Sequence, residues 1–307
     1  MTGMELSRRY YAELVRPALA RGCPELLPRI AAGLAGEGSE CFGYDDELSR
    51  DHDWGPGLCL WLTDGDYERF GARAREIYAA LPKEYLGCVR RREDPLSAGR
   101  VGVLRIGEFY ERFLGSPTPP RTAGEWLSAS DAALAACTNG AVFEDNAGEF
   151  TAVREELQAY YPESIRRKRL AARCALTAQA GQYNFPRCLK RGDAVAALRA
   201  LGEFIDHAQA ALFLLEKRYR PYYKWAHRAL RDLPCGAEAA PLFERLAAAP
   251  TERLTEPIEA ICARIVHMLA EEELSAEPGD FLLPHARAVQ ASIQNDGIRE
   301  LPLLSFP

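Results

Sequence analysis

The sequence predicts an α+β protein: short strands mixed with helices over the first half, then a helical bundle. Three observations lead there. Apolar runs bounded by Gly, Pro, Asn or Asp fall at residues 31–35, 52–62, 101–106 and 139–145, and such runs read as strands. From Thr151 onward the chain is rich in Ala, Leu, Glu and Arg, with apolar residues recurring every three or four positions, the period of a helix with one buried face. The length of 307 residues, with 48% hydrophobic and 27% charged, suits one large globular domain or two ordinary ones. The expected division is 1–155 and 156–307.

In order, residues 4–21 read as a helix, with Leu6, Tyr10, Leu14 and Leu19 on one face, and residues 24–32 as a second short helix. A strand over 31–35 then runs into Gly38-Ser39. Residues 45–47 read as a solvated loop, and 52–62 as a strand with Trp54 turned to the core. Asp64-Gly65-Asp66 forms a turn before a helix over 66–81. A strand at 101–106, a helix from Glu108, a proline-rich linker at 116–121, a helix at 126–136 and a strand ending at Asp145 complete the first half. Helices are expected near 151–159, 164–180, 193–218, 222–232, 239–247 and 255–274, with the last dozen residues an extended tail docked by its leucines.

The segment Gly36–Thr63 carries the chemistry. On a strand, residues i and i+2 share a face, so Asp51 and Asp53 are expected side by side at the strand's start. Two such carboxylates repel, and a shared cation relieves them. Their oxygens suit one or two Mg²⁺ ions, whose coordination nucleotide phosphates commonly complete. Gly38 allows a phosphate close to the backbone and Ser39 supplies a hydroxyl donor.

Gly-Ser, an eleven-residue spacer and Asp-x-Asp resemble the polymerase-β-like nucleotidyltransferase superfamily. The longer string GSECFGYDDELSRDHDWGP resembles a narrower bacterial family of nucleotidyltransferase-like proteins of largely unassigned function, as do VFEDNAGEFTAVR, GQYN and PYYKW. The resemblance implies a small mixed sheet flanked by helices, followed by a helical domain. It implies a nucleoside triphosphate substrate and a third carboxylate on a neighbouring strand, which can accept a proton. Asp145 is the choice, with Glu144 and Glu108 as alternatives; as a residue type, Asp145 equally suits the first place of a turn. Gly57 stands where the resemblance leads one to expect a basic residue.

Two stretches of the second half add candidates. Gln182 and Asn184 could read a base or hydroxyl, and Arg187 and Arg191, at i and i+4 on one helix face, could clamp phosphate oxygens. Lys224 follows Pro221 in the first turns of another helix, among aromatics.

The net charge of −6 disfavours general nucleic-acid binding. The nine cysteines, none in Cys-x-x-Cys, suggest neither zinc nor disulfides and fit a reduced, cytoplasmic compartment. Neither a leader nor a membrane span is read. The expected activity is transfer of a nucleoside monophosphate from a triphosphate to an acceptor hydroxyl, foremost on a small molecule. The alternative is a nucleotide-binding module without catalysis. A nuclease-like reading of the helical half, through Arg220 and His227, ranks last.

Overall fold

The computed structural model describes residues 1–51, 54–91 and 99–306. The chain divides into two compact units, residues 1–120 with 133–159, and residues 121–132 with 160–307.

Unit 1 is the α+β part. Helices α1 (Gly3–Tyr10) and α2 (Arg16–Gly22) join through a π-helical turn, Tyr11–Val15. Thr2 starts α1 with a reciprocal cap: its hydroxyl accepts from the Glu5 amide at 3.2 Å and the Glu5 carboxylate accepts from the Thr2 amide at 2.8 Å. The helix expected over 24–32 is only a 3₁₀ turn, Pro24–Leu26, because Pro28 cannot donate to a helical ladder. The strands are β1 (Ala31–Leu34), β2 (Cys59–Leu62), β3 (Glu84–Tyr85), β4 (Cys88–Val89), β5 (Gly102–Arg105) and β6 (Ala141–Asp145). Four make a mixed sheet in the order β5-β2-β1-β6, with β2 and β5 parallel and β1 antiparallel to both neighbours; β3 and β4 form a separate hairpin.

Both faces of the sheet are covered. Ala32, Leu60, Leu62 and Val103 pack with Leu6, Tyr10 and Leu19, and with Phe70, Ala74 and Tyr78 of α4 (Asp64–Ala79). On the other face Trp61 stacks on Phe150 at 3.8 Å and meets Phe109 edge-on at 5.3 Å. These rings belong to α5 (Ile106–Leu114) and α8 (Glu149–Gln158). The β1/β6 register shifts between Ala32 and Gly33. A side chain at Gly33 would lie 2.9 Å from the Trp61 ring, so the irregularity needs glycine.

The strand expected from residue 52 begins only at Cys59. Gly55, at φ +150°, brings its backbone against the Val89 carbonyl, and Pro56 follows, a pair that does not continue a ladder. Asp51 instead closes a 3₁₀ turn, Leu48–Arg50, and is exposed. His52 and Asp53 lie outside the described residues.

Unit 2 is helical. It contains α6 (Ala123–Ser128), α9 (Glu163–Thr177), α10 (Phe185–Lys190), α11 (Ala194–Leu215), α12 (Tyr223–Arg231), α13 (Gly236–Ala248), α14 (Thr255–Glu271), α15 (Leu282–Ala291) and α16 (Asp296–Arg299). Helix α7 (Asp131–Thr138) contributes residues to both units. At the π-helical turn Ala178–Asn184, a side chain on Gly181 would run into the Phe204 ring, so glycine lets α11 approach. The tail is held through its backbone, with Leu301 and Leu303 half-buried. Lys168, fully buried on α9, donates to the carbonyls of Leu303 at 2.9 Å and Ser305 at 3.0 Å, while Leu304 is 47% exposed. The cysteines are free; seven are buried, and Cys88 and Cys188 are half-buried. Burial pushes the thiols of Cys59, Cys137 and Cys174 up to about 12. Among the described residues no helix is long and apolar enough to cross a membrane.

Candidate functional site at one end of the sheet

Gly33 pairs with Cys59 across the antiparallel β1/β2 ladder. The chain leaving β1 and the chain entering β2 therefore lie at the same end of the sheet. Gly38 and Ser39 are on the first of these segments, and residues 54–58 on the second. Asn139, just before β6, steadies this end: its amide oxygen accepts from the Gly36 amide at 2.9 Å and its amide nitrogen donates to the Gly36 carbonyl at 2.7 Å.

Gly38 is extended, at φ −64° and ψ 146°, and precedes a single helical turn, α3 (Ser39–Phe42). Its Cα faces the Glu40 carboxylate; a Cβ there would lie 2.6 Å from Glu40 Cδ. Glu40 is held by Arg91, whose Nη2 donates to Oε1 at 2.6 Å, the two side chains being 4% and 5% exposed. Arg91 Nε also donates to the Gly55 carbonyl at 3.2 Å. Gly57 makes room for this arginine, since a Cβ there would lie 3.2 Å from Arg91 Cδ. The cation that packs beside position 57 thus comes from residue 91.

Asp45, read from sequence as part of a solvated loop, is half-buried. Its Oδ2 accepts from the Gly3 amide at 2.6 Å and from Trp54 Nε1 at 3.1 Å, while its Oδ1 is buried with no hydrogen-bond partner among the described residues. Asp46 and Glu47 are exposed as expected. Among the described residues no three His, Cys, Asp or Glu side chains gather as a metal site. The acids of this loop are carboxylates throughout, and such oxygens suit Mg²⁺ better than a softer ion.

The third-carboxylate candidates lie elsewhere. Asp145 pairs with Ala31, the first residue of β1. At ~3.3 Å per residue it lies roughly 10 Å or more from the end that leads to Gly38. Its carboxylate is filled by the turn that follows: Oδ1 accepts from the Gly148 amide at 2.9 Å, and Oδ2 from the Thr151 amide and hydroxyl at 2.9 and 2.8 Å. Glu144 accepts from the Tyr11 hydroxyl at 2.7 Å, Arg16 Nε at 2.8 Å and Asn146 at 2.8 Å. Burial works against its charge, but Arg16, Tyr11 and Asn146 outweigh it and hold the carboxyl below its ordinary value. Glu108 pairs with Arg105, which stands opposite the last residue of β2, again at the far end.

In unit 2, Gln182 is a structural bridge. It donates to Glu259 at 2.7 Å and to the Asp280 carbonyl at 2.9 Å, and accepts from the Leu282 amide at 3.0 Å. Asn184 is half-buried. Arg187 lies over the Tyr183 ring at 4.7 Å and donates to its hydroxyl at 3.0 Å. Arg191 and Lys224 are exposed, with Lys224 Nζ 5.1 Å from the Trp225 ring. Arg220 joins a buried ionic network instead of His227. It reaches Asp206 at 2.6 Å; Arg173 binds Asp206 at 3.1 Å and His207 Nδ1 at 2.8 Å; Arg169 and the Tyr161 hydroxyl hold Asp131 at 3.0 and 2.7 Å. Burial, and then Arg173, push His207 down to about 4, so it is neutral. His227 faces Glu244 at 3.5 Å.

Sequence reading missed Glu40, Asp45, Arg91 and Asn139. Glu40 stands beside the Gly-Ser pair, and its burial could have been suspected from the apolar residues that follow. Nothing local marks Arg91, which is 51 positions from Glu40.

Residues 126–226 match the family described as Domain of unknown function (DUF4037). Among solved structures, the chain is similar to a nucleotidyltransferase-like protein from Exiguobacterium sibiricum 255-15, at 14% identity and a TM-score of 0.36, over 88% of this chain and 76% of that one. No curated protein matches.

Proposed function

We propose that unit 1 binds a nucleoside triphosphate at the Gly38-Ser39 turn and transfers its nucleotidyl group to the hydroxyl of a small acceptor. The supporting observation is that Gly38-Ser39 and the segment entering β2 emerge at one end of the sheet. Ser39, half-buried, offers its hydroxyl to the terminal phosphates. Asp51 and Asp53 would hold Mg²⁺, which when bound supplies charge neutralisation and Lewis acidity to the phosphates. The acceptor hydroxyl gives its proton to solvent as its oxygen bonds to the α-phosphorus, the bond from that phosphorus to the α,β-bridging oxygen breaks, and pyrophosphate leaves. Asp145 has no part in this reading, because its oxygens are engaged at the far end of the sheet. Within unit 2, considered by itself, Asn184, Arg187, Arg191 and Lys224 remain proposed phosphate- and base-binding residues; Gln182 is spoken for by its bridge.

One observation favours a second reading, nucleotide binding without transfer: Asp145, Glu144 and Glu108 all sit away from the Gly-Ser end. One experiment separates the two. Purified protein is incubated with Mg²⁺, a cell extract and nucleoside triphosphates labelled at the α- or γ-phosphate. Transfer labels an acceptor from the α position alone, and Asp51→Ala and Asp53→Ala each abolish it. Binding without label supports the second reading, and failure to bind any triphosphate overturns both.

A further inference from the structure

We infer that Arg91 is the positioning residue of the unit 1 site, locking the Gly38-Ser39 turn to the chain entering β2; its role in nucleotide binding rests on the reading just given. Among the described residues, Arg91 contacts opposite sides of the site. Nη2 holds Glu40, next to Ser39, at 2.6 Å, and Nε holds the Gly55 carbonyl at 3.2 Å. The Glu40 and Arg91 side chains are 4% and 5% exposed. A gate that opens on each ligand encounter would have to strip and restore this pair every time, and separating buried charges is costly. The geometry therefore fits a fixed clamp. A guanidinium suits the task because its planar fork of donors can serve two acceptors at once, whereas an ammonium is a single point. Gly57 and Gly38 support the clamp: one leaves room for the arginine stem, the other for the glutamate carboxylate. Asp45 adds a second tie, joining Trp54 to the start of α1.

The test compares the parent protein with Arg91→Lys by amide hydrogen exchange and by titration with Mg-ATP. Glu40→Met with Arg91→Met replaces the pair by apolar side chains and keeps a folded comparison should the lysine variant fail to fold. Ala74→Gly, in the buried face of α4, serves as a control that lowers stability without touching the clamp. We expect peptides covering 36–42 and 54–58 to exchange at least tenfold faster in the clamp variants than in the control. The dissociation constant for Mg-ATP should rise at least tenfold. Unchanged exchange in either segment, the same exchange in Ala74→Gly, or unchanged Mg-ATP affinity in a folded clamp variant overturns the inference. If the parent binds no nucleotide, the functional reading falls, and the exchange result alone still decides the role of Arg91.

Discussion

Gly38 gives the sharpest test of how this end of the sheet is built. A glycine beside a serine invites the reading that a phosphate approaches its backbone. The structure offers a different cause, because the space a Cβ would take is filled by the Glu40 carboxylate. The backbone at φ −64° and ψ 146° is open to alanine. Any cost of Gly38→Ala must therefore come from Glu40. That carboxylate cannot swing aside freely, since moving it breaks the buried 2.6 Å ion pair with Arg91. Breaking a buried pair in this way costs about 3 kcal/mol. For a unit of this size that corresponds to a melting shift of roughly 6–12 °C. In a Glu40→Ala background the obstacle is gone, and glycine to alanine at a compatible position stabilises by about 0.4–1 kcal/mol through the unfolded chain. The sign of the effect should reverse, with a coupling energy of about 3 kcal/mol. Urea unfolding of the four proteins measures it, with Trp54 and Trp61 reporting on unit 1 after Trp126 and Trp225 are changed to Phe. Additive effects within about 0.5 kcal/mol would refute the steric account.

Asp145→Ala removes the acceptor of three donors from the turn before α8 and should cost about 1–2 kcal/mol, as loss of a helix cap does, while Mg-ATP affinity stays within about twofold; a large loss of affinity would return Asp145 to the site. Deleting residues 302–307 strips Lys168 of both its acceptors and should lower stability by about 2 kcal/mol, with Lys168→Met in the shortened chain recovering most of it in thermal melts. Burial, Arg173 and Arg220 lower the pKa of His207 to about 4, outweighing Asp206 and Glu203. The unfolded chain therefore takes up a proton that the folded chain refuses as pH falls from about 6.5 toward 4, and stability should drop by about 2 kcal/mol between pH 7 and 5. His207→Gln should flatten that slope in urea titrations at the two pH values. Gly181→Ala forces a methyl into the Phe204 ring and should cost about 1–3 kcal/mol of unit 2 stability by chemical denaturation.

The architecture was largely legible because period and punctuation are local. The strands at 31–34, 102–105 and 141–145 and the six helices expected between 151 and 274 fall where apolar spacing places them; α10, α15 and α16 are additional, and α16 occupies the start of the tail expected to be extended. The start of β2 was misplaced because its apolar run was extended back through Gly55-Pro56, whose backbone cannot ladder. The site was legible only as two short motifs. Choosing Asp145 as their partner required knowing which end of β6 faces the Gly-Ser turn, and that follows from an antiparallel register no local pattern encodes. Glu40 has apolar neighbours in Cys41 and Phe42, but nothing in the sequence names its partner. Its burial depends on Arg91, and the pairing appears only once the chain is folded. In the tail the leucines are visible in the sequence, whereas the two carbonyls that Lys168 holds carry no side-chain signal.

The free thiols carry a practical consequence. Cys59 and Cys137 lie in unit 1, Cys174 and Cys262 in unit 2, and all four are shut away from water. An alkylating reagent can reach each of them only when its own surroundings come open. Mass-resolved labelling over time would therefore clock the breathing of the two halves separately, in one tube and on the unmodified chain, and show which half lets go first.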